Sequence, residues 1–198
     1  MGEKSVQKKK YILEKARGVF AEKGFKDVTM KDIVDACEIS RGGLYLYFSS
    51  TEELFLAVLA DDNPEDDEEA VVAALSGDAS AGDMLALFLK EQKKEILRKK
   101  NNLTVATYEY FSLHKVADKD NPLKNQFDTA VRIVEKLIEN GVENDEFYCE
   151  NPLGCARNLM YVVEGLKITS KTIGVTEDAI DRELMYVLEG LVPEELNN

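Results

Sequence analysis

The sequence predicts an all-α protein, a small three-helix head followed by a larger helical body. Three observations carry that prediction. Apolar residues recur at i, i+3, i+4 and i+7 through most of the chain, and no stretch shows the strict alternation of a half-buried strand. Pro and Gly are scarce, 4 and 12 in 198 residues. Ser, Thr or Asn stands where most of the periodic stretches begin, as helix caps require. Hydrophobic residues at 44% can fill a core, and charged residues at 32% can face water.

The first helix is expected from near Ser5 to about Lys23, with Ile12, Ala16, Val19 and Phe20 on one face. Gly24 suits a left-handed stop, and Phe25 follows as a packing residue. Lys8, Lys9 and Lys10 lie on its early turns, where they read either as a solvated end or as contacts to phosphate. The second helix begins at Thr29, which forms a T-x-x-D capping box with Asp32. Met30, Ile33, Val34 and Cys37 make its apolar face. A corner at Glu38–Ile39 follows, with Ile39 expected to bury, and Ser40 then caps a third helix from Arg41 to about Phe48. Leu44 and Phe48 should face inward. That turns Arg41, Gly42, Gly43, Tyr45, Leu46 and Tyr47 partly or wholly outward.

Adjacent glycines in a helix cost roughly 1 kcal/mol each relative to Ala. Gly42 and Gly43 therefore need a reason: tight helix–helix packing, or the close approach of something bulky from outside. Exposed tyrosines beside an arginine favour the second.

Ser50 and Glu53 read as another capping box. It opens a fourth helix with Leu54, Phe55, Val58 and Leu59 inside, ending near Asp62. An acidic run from Glu65 to Glu69 then opens a short segment to Leu75 and reads as a solvated face. Further helices are expected over about Ala81–Lys99, Leu103–Ala117 and Pro122–Asn140, the last stopped by Gly141. Asn151 and Pro152 open a helix to about Thr172, and Thr176 caps the last, to Pro193. The expected division is a head over 1–50 and a body over 51–198, with the helix at 51–62 as connector.

The formal net charge of −13 is unevenly spread. Residues 1–50 hold 10 Lys+Arg against 7 Asp+Glu, a net +3, which leaves −16 on the remainder. A weakly basic head on an acidic body suggests two jobs. Cys37, Cys149 and Cys155 are odd in number and lack C-x-x-C spacing, so neither a disulfide framework nor a zinc site is expected. With no apolar leader and no run of about 18 apolar residues, a cytoplasmic protein is expected. No catalytic constellation stands out, since the single His114 has no evident nucleophile partner. No cofactor or metal is expected.

The segment Thr29–Phe48, TMKDIVDACEISRGGLYLYF, with its flanks, resembles the TetR family of bacterial transcriptional regulators. The residues that carry the resemblance are Phe20, Gly24, Phe25, Thr29, Ile33, Ser40, Leu44, Tyr45, Phe48, Glu53 and Leu54, with Glu146–Phe147 ahead of the last two helices. The resemblance implies a helix-turn-helix DNA-binding domain, then a ligand-binding and dimerisation domain. It implies DNA contacts at Thr29, Ser40, Arg41, Gly42, Gly43, Tyr45, Tyr47 and Thr51. Arg41 and Gly43 stand where base edges are read, Tyr45 and Tyr47 where phosphate or thymine methyl is touched. Three positions depart from the family pattern: Glu38 replaces the usual corner glycine, Thr51 a usual lysine, and Arg-Gly-Gly opens the third helix.

The function this implies is a repressor that binds a palindromic operator as a homodimer and is released by a small molecule. The alternative is a helical small-molecule-binding protein or enzyme with a vestigial head. A pocket is expected among Phe88, Tyr108, Phe111, His114, Phe127, Met160 and Tyr161, suited to a lipophilic or cationic ligand. Pairing with a twin chain is expected through Leu153, Ala156, Met160, Val163, Leu184, Val187, Leu188 and Leu191.

Overall fold

The computed structural model of the chain describes residues 3–61 and 80–191. Its helices are α1 (Glu3–Lys23), α2 (Met30–Cys37), α3 (Arg41–Tyr45), α4 (Thr51–Ala60), α5 (Ala81–Leu97), α6 (Thr104–Leu113), α7 (Pro122–Glu143), α8 (Pro152–Thr172) and α9 (Glu177–Glu189). A 3-10 turn spans Asp118–Asp120. There is no strand among the described residues. The segment expected at Glu65–Leu75 and the chain end near Pro193 lie outside them.

The described residues form two compact units, one of 3–61 with 98–123, the other of 80–97 with 124–191. The expected boundary after residue 50 does not match these contacts. Helix α4 is no mere connector, because Leu54, Phe55, Val58 and Leu59 are buried in the same cluster as Phe20, Ile33 and Leu44. Helix α6, from the middle of the chain, adds Ala106 and Tyr110 to that cluster.

Phe25 is the centre of this first core. Its ring lies 5.2 Å from Phe55, 4.8 Å edge-on to Tyr110 and 5.5 Å from His114. Gly24 before it takes φ 77, as a left-handed stop should. A carboxylate from α6 completes the turn: Glu109 accepts the amides of Phe25 at 2.7 Å and Lys26 at 3.2 Å.

In the second unit α5 is fixed at both ends. At its start Glu146 accepts from the Ser80 hydroxyl (2.7 Å) and the Ala81 and Gly82 amides (3.1 and 2.9 Å). Those bonds, the Ser80 hydroxyl's first, hold the Glu146 carboxyl below its usual range. At its end the Ile96 carbonyl accepts from Ser170 Oγ and Lys171 Nζ, at 3.1 and 3.0 Å. Helix α8 has the expected limits, with Asn151 Oδ1 accepting the Gly154 amide.

Gly141 corrects an expectation. It does not stop α7, which runs two residues further to Glu143. The Phe147 ring sits on it, so that a Cβ there would lie 2.1 Å from Phe147 Cδ2. The glycine is a seat for a ring, not a terminator. Gly141→Ala is expected to cost about 1–3 kcal/mol as a buried overpacking change. Adding Phe147→Ala should cost less in the Gly141→Ala chain than in the wild type. Urea melts of the four chains check this, and strict additivity would remove the seat.

Candidate nucleic-acid interface

The corner between α2 and α3 ends as a Schellman motif. The Ile39 amide donates to the Val34 carbonyl and the Glu38 amide to that of Asp35, both at 3.3 Å. Such an ending needs a left-handed residue, and Glu38 supplies it at φ 52, ψ 41. Ile39 is half-buried and packs on the head's core beside Val34. The left-handed region costs a non-glycine residue roughly 1–2 kcal/mol.

Ser40 caps α3 as expected, its Oγ accepting the Gly43 amide at 3.1 Å. Helix α3 ends at Tyr45, short of the expected Phe48, and Phe48 then follows a turn into the core. Arg41 is exposed, with its guanidinium carbon 5.5 Å above the Tyr45 ring. Tyr45 is exposed as well. Tyr47 is half-buried against the core and so only partly outward, because the chain has left the helix before it. Leu46 is more exposed than Tyr45, at 84%, and was not among the expected contacts.

The two glycines now separate. Gly43 has Ser40 Oγ at 3.2 Å from a built Cβ, while Gly42 has nothing within 4 Å. No packing among the described residues explains Gly42.

The cap on α2 forms the full reciprocal box. The Asp32 amide donates to Thr29 Oγ1, and the Thr29 amide and hydroxyl donate to Asp32 Oδ2 at 2.8 and 2.6 Å. Lys23 pairs with the same carboxylate. Lys23 first, then Thr29, hold Asp32 far below the ordinary carboxylate range. Thr29's hydroxyl proton is thus already committed. The donors such a box leaves over are the first two helical amides, here Met30 and Lys31.

The cap on α4 is only half the box expected. Ser50 Oγ accepts the Glu53 amide, but the Glu53 carboxylate turns to Ser49, accepting its amide at 2.7 Å and its hydroxyl at 2.6 Å.

Between these caps lies an open groove of about 810 Å³, lined by Thr29, Met30, Lys31, Asp35, Arg41, Tyr45, Ser49, Ser50 and Thr51 among others. Of the eight expected contacts, Thr29, Arg41, Tyr45 and Thr51 line it, while Ser40, Gly42, Gly43 and Tyr47 do not. Lys31, Ser49 and Ser50 are additions; the sequence signal for Lys31 was its place in the first turn of α2.

The expected ligand residues do not assemble in one unit. Tyr108, Phe111 and His114 belong to the first, Phe88, Phe127, Met160 and Tyr161 to the second. Phe111 packs on the head's core. His114 stacks on Tyr110 at 4.5 Å, with Nδ1 3.1 Å from the Tyr110 carbonyl. In the second unit Phe127 and Tyr161 are ring neighbours at 5.2 Å, Met160 is buried and Tyr161 exposed.

The expected pairing residues fall into two sets. Ala156, Met160, Val163, Leu184 and Leu191 are buried in the second unit's own core, and Leu153, Val187 and Leu188 pack against it. The first five are spent internally, and the last three keep part of their surface exposed. On the same helices Tyr161, Met185 and Tyr186 point outward, 65%, 53% and 60% exposed.

All three cysteines are free. Burial, then the neighbouring Cys149, pushes the Cys155 thiol up to about 11. No metal-binding cluster occurs among the described residues, and no described helix is long and apolar enough to cross a membrane.

With this geometry in view, comparison with known proteins assigns the class. Residues 12–58 match the model of bacterial regulatory proteins of the tetR family, and residues 84–181 the tetracyclin repressor-like C-terminal domain. The chain is 30% identical over 143 residues to the HTH-type transcriptional regulator YfiR of Bacillus subtilis, covering 72% of this chain and 69% of YfiR. The HTH-type transcriptional repressor AcnR of Corynebacterium efficiens is 39% identical over 61 residues, 31% of this chain and 32% of AcnR. In fold it is similar to a transcriptional regulator from Saccharomonospora viridis in complex with choline. The TM-score is 0.79, with 21% identity and coverage of 96% of this chain and 100% of that one. The chain belongs to the TetR family of transcriptional regulators, with a helix-turn-helix DNA-binding head.

The corner yields a stability test. Glu38→Gly removes the left-handed penalty and adds some unfolded-chain entropy, for an expected net gain of about 0.5–1 kcal/mol. A thermal melt should rise by a few degrees. A lower midpoint would mean the Glu38 side chain itself holds the corner.

Proposed function

We propose that this regulator is a repressor that binds a palindromic operator as a homodimer and is released by a small molecule. The observation that carries the DNA-reading part is the empty space at Gly42, on the exposed turn between Arg41 and Tyr45. A glycine kept in a helix at a cost, with no neighbour among the described residues, fits an outside surface that comes close. A DNA groove is such a surface, and Arg41 can then address guanine O6 and N7 together. The hydroxyls of Ser50 and Thr51 and the amides of Met30 and Lys31 suit phosphate oxygens, which fix register without reading sequence.

Two heads must stand about 34–36 Å apart to read successive half-sites. The outward Tyr161, Met185 and Tyr186, with the half-buried Leu153, Val187 and Leu188, are apolar side chains on α8 and α9 that can join two copies. By linkage, a ligand that releases DNA must bind the DNA-incompetent arrangement better. Its chemistry is proposed as cationic or lipophilic. The acidic body supports the first, as does the structural neighbour holding choline.

Gly42→Ala separates folding from reading. The variant should be more stable, by up to about 1 kcal/mol of helix propensity. It should bind DNA from upstream of its own gene more weakly by about 1–3 kcal/mol, the worth of one bidentate base contact. Fluorescence anisotropy beside a thermal melt reads both; unchanged affinity would take α3 out of the interface.

For pairing, sedimentation should show a dimer that Met185→Arg shifts toward monomer with its helicity intact. Leu184→Arg, one residue away but buried, should unfold the chain instead. A Met185→Arg chain that stays dimeric would exclude this face.

A further inference from the structure

The groove has an edge made of residues that carry no positive charge. Ser49, Ser50 and Thr51 line it with hydroxyls, and the exposed carboxylates Glu52 and Glu53 follow at once. Beside its hydroxyls, that edge offers a phosphate two nearby negative charges and no cation of its own. The compensating cation comes from another helix. Lys9 on α1 is exposed, and its ammonium lies 5.7 Å above the ring of Phe48, the residue just before Ser49. It is close enough for its charge to help keep Glu53 ionised, after the larger effect of the Ser49 hydroxyl and amide. Its neighbours on α1 point elsewhere: Lys8 and Lys15 both lie over Tyr11, at 5.1 and 5.7 Å. Tyr11 in turn donates its hydroxyl to the Cys37 carbonyl at 3.3 Å, which fixes this stretch of α1 against the end of α2.

We propose that Lys9 is a phosphate-binding residue of the DNA interface, supplying from α1 the positive charge that the Ser49–Thr51 edge lacks. This rests on the reading of the groove as the DNA-binding surface. The geometry suits the task. An aromatic face holds an exposed ammonium by only about 0.5–1 kcal/mol, and the four-carbon stem of Lys is flexible. The charge is therefore parked beside the groove and can swing to a phosphate passing over the serines.

The salt dependence of binding tests it, because a phosphate contact releases counterions and a structural prop does not. Full-length protein is titrated onto two duplexes, one from upstream of its own gene and one of mixed sequence, across a range of salt concentrations. Lys9→Gln should flatten the slope of log K against log salt by about 0.9 per protomer bound. Lys90→Gln, which makes the same change of net charge on α5, should leave the slope unchanged. Thr51→Lys placed in the Lys9→Gln chain should restore it, and the melting temperature of Lys9→Gln should stay near wild type. If the wild type binds with a salt-dependent slope that Lys9→Gln leaves intact, Lys9 is no phosphate contact. A Lys9→Gln chain that weakens at all salts equally while melting lower makes it a prop for Phe48 and overturns the proposal in the same way. A wild type that binds neither duplex sinks the groove reading itself, separately from Lys9.

Discussion

The head depends on what gathers around Phe25. The ring contacts Phe20 of α1, Phe55 of α4, and Tyr110 and His114 of α6 and its end. Its amide, with that of Lys26, is held by Glu109. Each aromatic pair adds about 0.5–1.5 kcal/mol beyond its buried area. What matters more is position. Phe25 lies four residues before the Thr29 cap, so the carboxylate and rings that fix this turn also fix where α2 begins. The direction of α2 then sets the corner at Glu38, and the corner sets α3. The exposed Arg41 is presented by a chain of constraints that begins in buried aromatic contacts.

Helix α6 belongs to the stretch that matches the C-terminal domain model, yet its buried side chains lie in the head's core. Domain by sequence and unit by contact are therefore different partitions of this chain. Covalent continuity makes the difference consequential. Any event that tilts α6 moves Glu109 and Tyr110, and both act on the turn at Gly24–Lys26. A close-packed interior has low compressibility and passes such a displacement on as strain.

Much of this was legible because the signals were local. Thr29–Asp32, Ser40, Asn151 and Thr176 announce helix starts through hydrogen bonds that span three residues, and each forms as the sequence indicates. What the sequence did not reveal is destination. Phe111 and His114 read as ring side chains, which is equally true of a pocket wall and of a core's edge, and only tertiary packing set them against the head's core. The buried stripe of α8 and α9 reads the same whether it faces its own bundle or a second chain. Gly141 failed for a related reason, since a glycine that ends a helix and a glycine that seats a ring look alike until Phe147 is in place. Glu53 made the subtler difference, reaching one residue further back than a capping box, to Ser49.

That reach of Glu53 has a consequence for the interface. A carboxylate bonded to the Ser50 amide would close the end of α4; bonded to Ser49 it sits instead beside Phe48 and Lys9. The same side chain thus orders the Ser49–Thr51 edge and lends negative charge to it. With −16 carried beyond residue 50, the chain as a whole gives DNA no general attraction. Each cation near the groove must then act locally, within the roughly 8–10 Å over which charges are felt at ordinary salt. Arg41, Lys31 and Lys9 lie in or beside the groove, and their placement, rather than the sum of charge, decides whether it can hold a phosphate backbone.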